Sequence, residues 1–283
     1  MQVNAFIFKF MLYFAILQFY FNDFFFKFNF LKCNPMLKEE RHQKILNEVS
    51  LRNRVLLNDV AEHLDVSVDT IRRDIKELDK KKLLKKVHGG AISLSFTSNK
   101  NSLEVYDVDE KQLIARKAVV KIQDGSAIFI DGGTTCMELA RAIPNNKKIT
   151  CFTLSLHIAM ELVHKEGVDL IFIGGKISKE SHMSISAGAI NELSQITFDQ
   201  SFIGTGYIDV VHGLSEFDWE VVQIKRAIIK SSKKTTLLCI SKKFNSQQKY
   251  KCVNVNAITT IITELEPKDK IFEPFKSLNI NLV

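Results

Sequence analysis

From Met36 onward, apolar residues recur with the spacing of packed helices. Arg41, Ile45 and Val49 fall every fourth residue, with Leu37, Leu46 and Leu51 beside them, which predicts a helix with a polar back. A second helix is expected over Asn58–Leu64, capped by Asn58 and turning Val60, Ala61 and Leu64 inward. After the short Asp65-Val66 link, Ser67 is placed to cap a third helix. Asp69 then sits in its first turn, where the helix dipole favours negative charge. On a wheel of about 100° per residue, Val68, Ile71, Ile75 and Leu78 share the core face. Asp69, Arg73, Lys76 and Lys80 lie opposite, with Thr70 and Arg72 on the flanks.

Leu56–Ile75 therefore reads as two short helices joined by a tight turn. A helix packed by one face and offering Thr and Arg near its start suits the DNA major groove, where Arg bonds guanine bidentately. The same face alone would more often be merely solvated. Its context changes the balance. Lys80, Lys81, Lys82, Lys85 and Lys86 follow at once, then Val87-His88-Gly89-Gly90-Ala91, which predicts a β-wing beside the third helix. Lysines there would touch phosphates and supply affinity, leaving specificity to the helix.

The pattern Arg41-x3-Ile45-x3-Val49, followed by Ser67-x2-Thr70-Ile71-Arg72-Arg73-Asp74-Ile75, resembles the signature of the DeoR family of bacterial transcriptional regulators. Leu83-Leu84-x3-His88-Gly89-Gly90-Ala91 is similar to the end of that family's winged helix-turn-helix. The resemblance implies that Ser67, Thr70, Arg72 and Arg73 sit at the DNA, with Thr70 and Arg73 nearest the bases. Lys76, Lys85, Lys86 and His88 complete the expected DNA-binding set.

Ser93–Asn101 is polar and rich in Ser and Asn, so a linker is placed at 95–106, between a DNA-binding domain at 36–94 and a second domain at 107–283. A helix is expected over Asp107–Ile122, with Leu113, Ile114, Ala118, Val119 and Ile122 inward. Apolar strands then alternate with helices: strands at Ser126–Ile130, Thr150–Thr153, Leu170–Ile173, Ser201–Gly204, Thr235–Ile240 and Ala257–Ile262, and helices at Cys136–Ile143, Leu156–His164, Ala189–Ile196 and Trp219–Ser231. That alternation predicts an α/β fold with a mostly parallel sheet covered on both faces.

Ligands of such sheets bind beyond the carboxyl ends of the strands. Those ends carry Asp131-Gly132-Gly133-Thr134-Thr135, Ser155, Gly174-Gly175 and Gly204-Thr205-Gly206. A single Gly pair reads as a tight turn; three such ends in one sheet point to a shared pocket. Hydroxyls and N–H groups at a helix start suit a phosphate. Neither a Walker loop nor GxGxxG is present, so nucleotide binding is not expected.

The resemblance extends into this region through Asp131–Thr135, Gly174-Gly175, and the run from Gly204-Thr205-Gly206 through Gly213-Leu214-Ser215 to Lys225-Arg226. It implies a sensor domain of the ribose-5-phosphate-isomerase kind whose effectors are phosphorylated sugars. Asp131, Gly132, Gly133, Thr134 and Thr135 would hold the phosphate or hydroxyls, and Lys225 and Lys243 would neutralise charge. Lys225 reads equally well as an exposed helix lysine near Glu220. This chain departs from the family at three points. Cys239-Ile240 stands where an Asp usually precedes Ser-Lys-Phe, Thr153-Leu154-Ser155 replaces Thr-Asn-Ser, and Ser215 replaces a Thr.

Composition adds less. Of 283 residues, 46% are hydrophobic and 25% charged, as in globular proteins. A net charge of +7 leans towards an anionic partner. Cys33, Cys136, Cys151, Cys239 and Cys252 have no metal-ligand spacing, so buried, reduced thiols, no metal and a cytoplasmic setting are expected. Met1–Pro35 holds about half of the 21 phenylalanines. Translation starting at Met36 is the favoured reading of that stretch, against a membrane or partner anchor and a disordered extension. Val3–Phe21 approaches the roughly 20 residues that span a bilayer, but Lys9 interrupts it.

The function expected is that of a transcriptional regulator, a repressor of a carbohydrate operon, binding double-stranded operator DNA as a dimer or tetramer under a phosphosugar effector. It needs no cofactor and no membrane. The alternative is a sugar-phosphate isomerase carrying a DNA-binding head, against which no pair of acid–base residues stands out.

Overall fold

A computed structural model of the protein describes residues 36–52, 54–93, 107–179 and 181–283. The Phe-rich stretch 1–35 and the linker placed at 95–106 lie outside the described residues.

The amino-terminal part forms from α1 (Lys38–Arg52), β1 (Arg54–Leu56), α2 (Leu57–His63), α3 (Val68–Lys80), β2 (Lys85–Val87) and β3 (Gly90–Ile92). Ile45, Leu46 and Val49 of α1 are buried, as the four-residue spacing predicts, whereas Leu37 is exposed ahead of the helix. The α2 helix begins earlier than expected. Leu56 is its N-cap and makes no side-chain cap bond, so Asn58 lies inside the first turn. The expected cap fails because β1 runs directly into the helix and Leu57 N–H donates to the Gly89 carbonyl at 2.9 Å. Ser67 does cap α3, its hydroxyl accepting from Thr70 N–H at 3.1 Å. Ile71, Ile75 and Leu78 are buried, joined by Asp74. The wing is a three-stranded antiparallel sheet in the order β1-β3-β2. Its first strand is too short to announce itself in the sequence. Gly90 is required here, because a Cβ on it would collide with the Val55 carbonyl of β1.

The second part alternates α4 (Val108–Val119), β4 (Ala127–Ile130), α5 (Thr134–Ala142), β5 (Ile149–Thr153), α6 (Leu156–Leu162), β6 (Val168–Phe172), α7 (Ala187–Ser194) and β7 (Gln200–Ile203). Then come β8 (Tyr207–Asp209), β9 (Gly213–Glu216), α8 (Trp219–Lys230), β10 (Thr235–Leu238), β11 (Tyr250–Val253), β12 (Thr260–Ile262) and β13 (Asn281–Leu282). Seven strands make one parallel sheet in the order β13-β12-β10-β7-β4-β5-β6. Its apolar runs are continuous because successive residues face opposite, covered sides. Ile128 and Ile130 pack with Ile114, Ala118 and Leu139 on one side, and Phe129 packs with Leu193, Phe198 and Ile228 on the other. Coverage thins at the edge strand β6, where Ile171 and Phe172 are exposed.

Three details differ from expectation, the first being that β13 (Asn281–Leu282) extends the main sheet where no strand was expected. Lys111, Ile114, Ala115 and Ala118 are the buried residues of α4, while Leu113 and Val119 are only half-buried. A separate antiparallel sheet, β11-β9-β8, is added beside the main one. Strands of three or four residues interrupted by polar groups carry no readable alternation.

Candidate functional site

Strand order builds the cavity. From β4 the chain proceeds outward through β5 to β6, then returns to place β7 on the other side of β4. The crevice at such a reversal, outside the carboxyl ends of the strands, is where open α/β sheets bind ligands. Here Asp131–Thr135 follows β4 and Gly204-Thr205-Gly206 follows β7, and the two segments line one cavity of about 160 Å³.

The α5 helix opens directly on this cavity. Gly133 is its N-cap at φ 107°, a conformation that favours glycine, and Thr134 and Thr135 are buried in the first turn. First-turn N–H groups lack helical partners and carry the positive end of the dipole, so they suit an anion. Asp131 turns its carboxylate inward, accepting from Gly132 N–H at 2.8 Å and from Gly204 N–H at 3.4 Å.

Lys225 of α8 enters from the side. It is buried, donates to Glu216 Oε1 and to the Gly204 carbonyl, each at 2.6 Å, and stands 3.8 Å from Asp131. The reading of Lys225 as an exposed lysine beside Glu220 is therefore excluded. Burial alone would drive its proton off, but Glu216 and Asp131 outweigh that and raise its pKa, fixing it as ammonium. Asp131 is raised by burial, with Lys225 and the Gly132 N–H opposing. Lys243 donates to the Thr205 carbonyl at 2.9 Å, and its burial lowers its pKa.

Asp131, Gly132, Gly133, Thr134, Thr135, Gly204, Gly206, Lys225 and Lys243 thus come together. Ser155, Gly174 and Gly175 do not. Ser155 follows β5, one strand beyond β4, where its hydroxyl caps α6. Gly174 and Gly175 follow β6, two strands away, and the Gly174 carbonyl accepts from Ser184 Oγ at 2.7 Å. Chain order could not show how far each strand end lies from the reversal.

On the amino-terminal part, Ser67, Arg72, Arg73, Lys76, Lys85, Lys86 and His88 are exposed and Thr70 is half-buried. Arg72 is ion-paired with Asp69 one turn back, and Thr70 Oγ1 shares a hydrogen bond with Ser67 Oγ at 2.8 Å. Arg73 and Lys76 project from the same exposed side of α3, with Lys85 and Lys86 on the neighbouring wing strand.

Residues 41–97 match the DeoR-like helix-turn-helix domain, and residues 106–265 match the DeoR C-terminal sensor domain. The glycerol-3-phosphate regulon repressor of Escherichia coli (strain K12) is 30% identical over 249 residues, covering 87% of this chain and 99% of that protein. The chain belongs to the DeoR family. The glycerol-3-phosphate regulon repressor of Haemophilus influenzae is 34% identical, over 75% of this chain and 84% of that protein. The HTH-type transcriptional regulator GlpR of Haloferax volcanii is 28% identical, over 81% and 91%. Among solved structures, ribose 5-phosphate isomerase A of Methanocaldococcus jannaschii is similar over 49% of this chain and 55% of that one, at 16% identity and a TM-score of 0.37.

This DeoR-family chain is a transcriptional regulator with a DNA-binding domain and a sensor domain. Several cavity residues escaped the sequence reading, Glu216, Asp218, Arg52 and Arg54 among them. Glu216 lay in the run after Gly213-Leu214-Ser215 but marked no strand end of the main sheet. Arg52 and Arg54 belong to the DNA-binding domain and yet line the sensor cavity. Among the described residues, no helix is long and apolar enough to cross a membrane.

Proposed function

We propose that this regulator represses a carbohydrate-metabolism operon and is controlled by a phosphorylated sugar or polyol held in the cavity at the β4–β7 reversal. One observation carries the reading. The α5 N-terminus and two buried lysines converge on a cavity in the same chain as an exposed, basic DNA-reading face. The phosphate would take the first-turn N–H groups of α5, and Asp131 would accept from hydroxyls. Relatives named for the glycerol-3-phosphate regulon make glycerol 3-phosphate the first probe. Thr70 and Arg73 would read bases, while Lys76, Lys85, Lys86 and His88 would hold phosphates. Such heads bind paired half-sites, so the working unit is at least a dimer.

The test is a thermal-stability screen of sugar phosphates, since a ligand that binds only the native state raises apparent stability. Stabilisation by a phosphorylated compound but not by its dephosphorylated form is expected. Equal response to both would refute the reading.

A second reading has one observation in its favour. Asp131, Glu216 and Lys225 form the acid–base cluster that the sequence had not revealed, as an isomerase would require. Against it, Lys225 is locked between two carboxylates as a permanent cation. Turnover of pentose or hexose phosphates that disappears in Glu216→Gln would establish catalysis.

A further inference from the structure

We propose that Arg52 and Arg54 of the DNA-binding domain are ligands for the anionic group of the effector, so that the effector is held by sensor and DNA-binding domains together. The inference rests on the sensor reading above and names the residues that complete its site.

Charge balance within the cavity carries the argument. The sensor domain lines it with Lys225 and Lys243 against Asp131, Glu216 and Asp218: two cations and three carboxyls. Both lysines are already committed, Lys225 to Glu216 and the Gly204 carbonyl, Lys243 to the Thr205 carbonyl. Even with the buried Asp131 protonated, this lining is no better than neutral. A phosphate monoester, carrying about −1.5 to −2 near neutral pH, would gain little from it. Adding Arg52 and Arg54 turns the count to four cations against three carboxyls.

Position supports the same assignment. Arg52 ends α1, and Arg54 opens β1 two residues later. Arg52 spends Nε on Glu48 at 2.7 Å and Nη1 on the Gly206 carbonyl at 3.2 Å, and it lies 4.2 Å over the Tyr207 ring. Five N–H donors on a planar fork leave it capacity for an anion beyond those two bonds. Arg54 lies 4.9 Å from the Phe217 ring centre, with Nη1 4.0 Å from Asp218 Oδ2. That separation is loose for an ion pair, so an incoming phosphate competes with Asp218 for the guanidinium. Gly206, Phe217 and Asp218 line the cavity, and Tyr207 opens β8 directly after Gly206.

The regulatory consequence follows from linkage. A ligand bound by both domains has an affinity that depends on how they are arranged, and DNA binding that changes the arrangement changes that affinity by the same factor.

The experiment is calorimetric titration of the full-length protein with glycerol 3-phosphate, and with inorganic phosphate as the minimal anion. Arg52→Gln and Arg54→Gln are each expected to raise Kd about tenfold or more, the loss typical of a hydrogen bond to a charged group. Arg52→Lys and Arg54→Lys should fall between. Asp218→Asn tests the claim with opposite sign and without threatening the fold, because Asn caps a helix as well as Asp and Asp218 is the N-cap of α8. It should bind the anion more tightly than wild type. Wild-type binding with unchanged Kd in both Gln variants, or weaker binding by Asp218→Asn, overturns this proposal alone. No binding of either probe by the wild type overturns the phosphorylated-effector reading for these probes, and this inference with it.

Discussion

Arg73 carries the most specific prediction at the scale of single residues. It is exposed on α3 while Arg72 beside it is tied to Asp69. Arg73→Ala should cost about 1–3 kcal/mol of specific operator affinity and relax discrimination at one base position. Lys85→Ala should instead weaken all DNA sequences alike and reduce the salt slope by about one. Fluorescence anisotropy over a salt series separates the two outcomes. If both variants lose affinity without loss of discrimination, α3 does not read bases. Inside the cavity, Glu216→Gln removes the nearer of the two carboxylates facing a buried ammonium. Breaking a buried pair in this way typically costs about 3–5 kcal/mol. Urea unfolding should show a loss of that order, and a change below 1 kcal/mol would mean Lys225 is held by Asp131 and the Gly204 carbonyl alone.

At the scale of elements, the wing depends on one close approach. Gly90→Ala drives a methyl group into the Val55 carbonyl, so β1 and β3 must separate. DNA affinity should fall, and phosphate-ester binding in the cavity should weaken with it, because Arg54 opens β1 and Ile92 of β3 lines the same cavity; full ester affinity beside lost DNA affinity would show that the wing does not hold Arg54 in place. The buried thiols make an alkaline prediction. Burial pushes Cys239 and Cys252 up to about 12, and Cys136 and Cys151 higher still. Their folded pKa values exceed the unfolded one, so the stabilisation is complete below about pH 9 and declines as pH rises towards the folded values. Each thiol contributes about 1.4 kcal/mol per pH unit in that window. Lys111 works in the opposite sense. Burial lowers its pKa to about 8, so its contribution improves with pH between there and its ordinary value. Denaturation of wild type and Cys151→Ala at pH 9 to 11 should give slopes differing by one thiol's share, and parallel slopes would contradict the burial of Cys151.

The elements also mark what the sequence could disclose. Periodicity placed α1, α3 and six of the main sheet's seven strands, but not the two-residue β13, because one-sided helices and doubly covered strands each write a distinct apolar pattern and two residues write none. Ser67 was legible as a cap, whereas Asn58 was not excluded because a strand entering the helix directly leaves no trace. The β8–β9–β11 sheet was invisible, and Glu216 with it. Strand order was the deeper loss. Asp131 and Gly204 become neighbours only because β7 returns beside β4, and the same order carries Ser155 and Gly174 away.

For the whole molecule, the decisive feature is that arginines preceding and opening the first wing strand reach the sensor cavity. Reading the chain as a DNA-binding domain, a linker and a sensor made the cavity look like the sensor's own. The contact from Gln248 Nε2 to Asp59 Oδ2 at 2.7 Å adds a second tie between the same two domains. A ligand at that junction can bias DNA binding only through unequal affinity for the docked and DNA-bound arrangements. The most direct measurement is therefore the affinity of the full-length protein for DNA upstream of its own operon, at fixed salt, across a titration of glycerol 3-phosphate and other sugar phosphates. The account predicts sequence-specific binding that shifts by about 5- to 150-fold at saturation, with the shift lost in Arg52→Gln. Specific binding that no phosphorylated compound alters would contradict it.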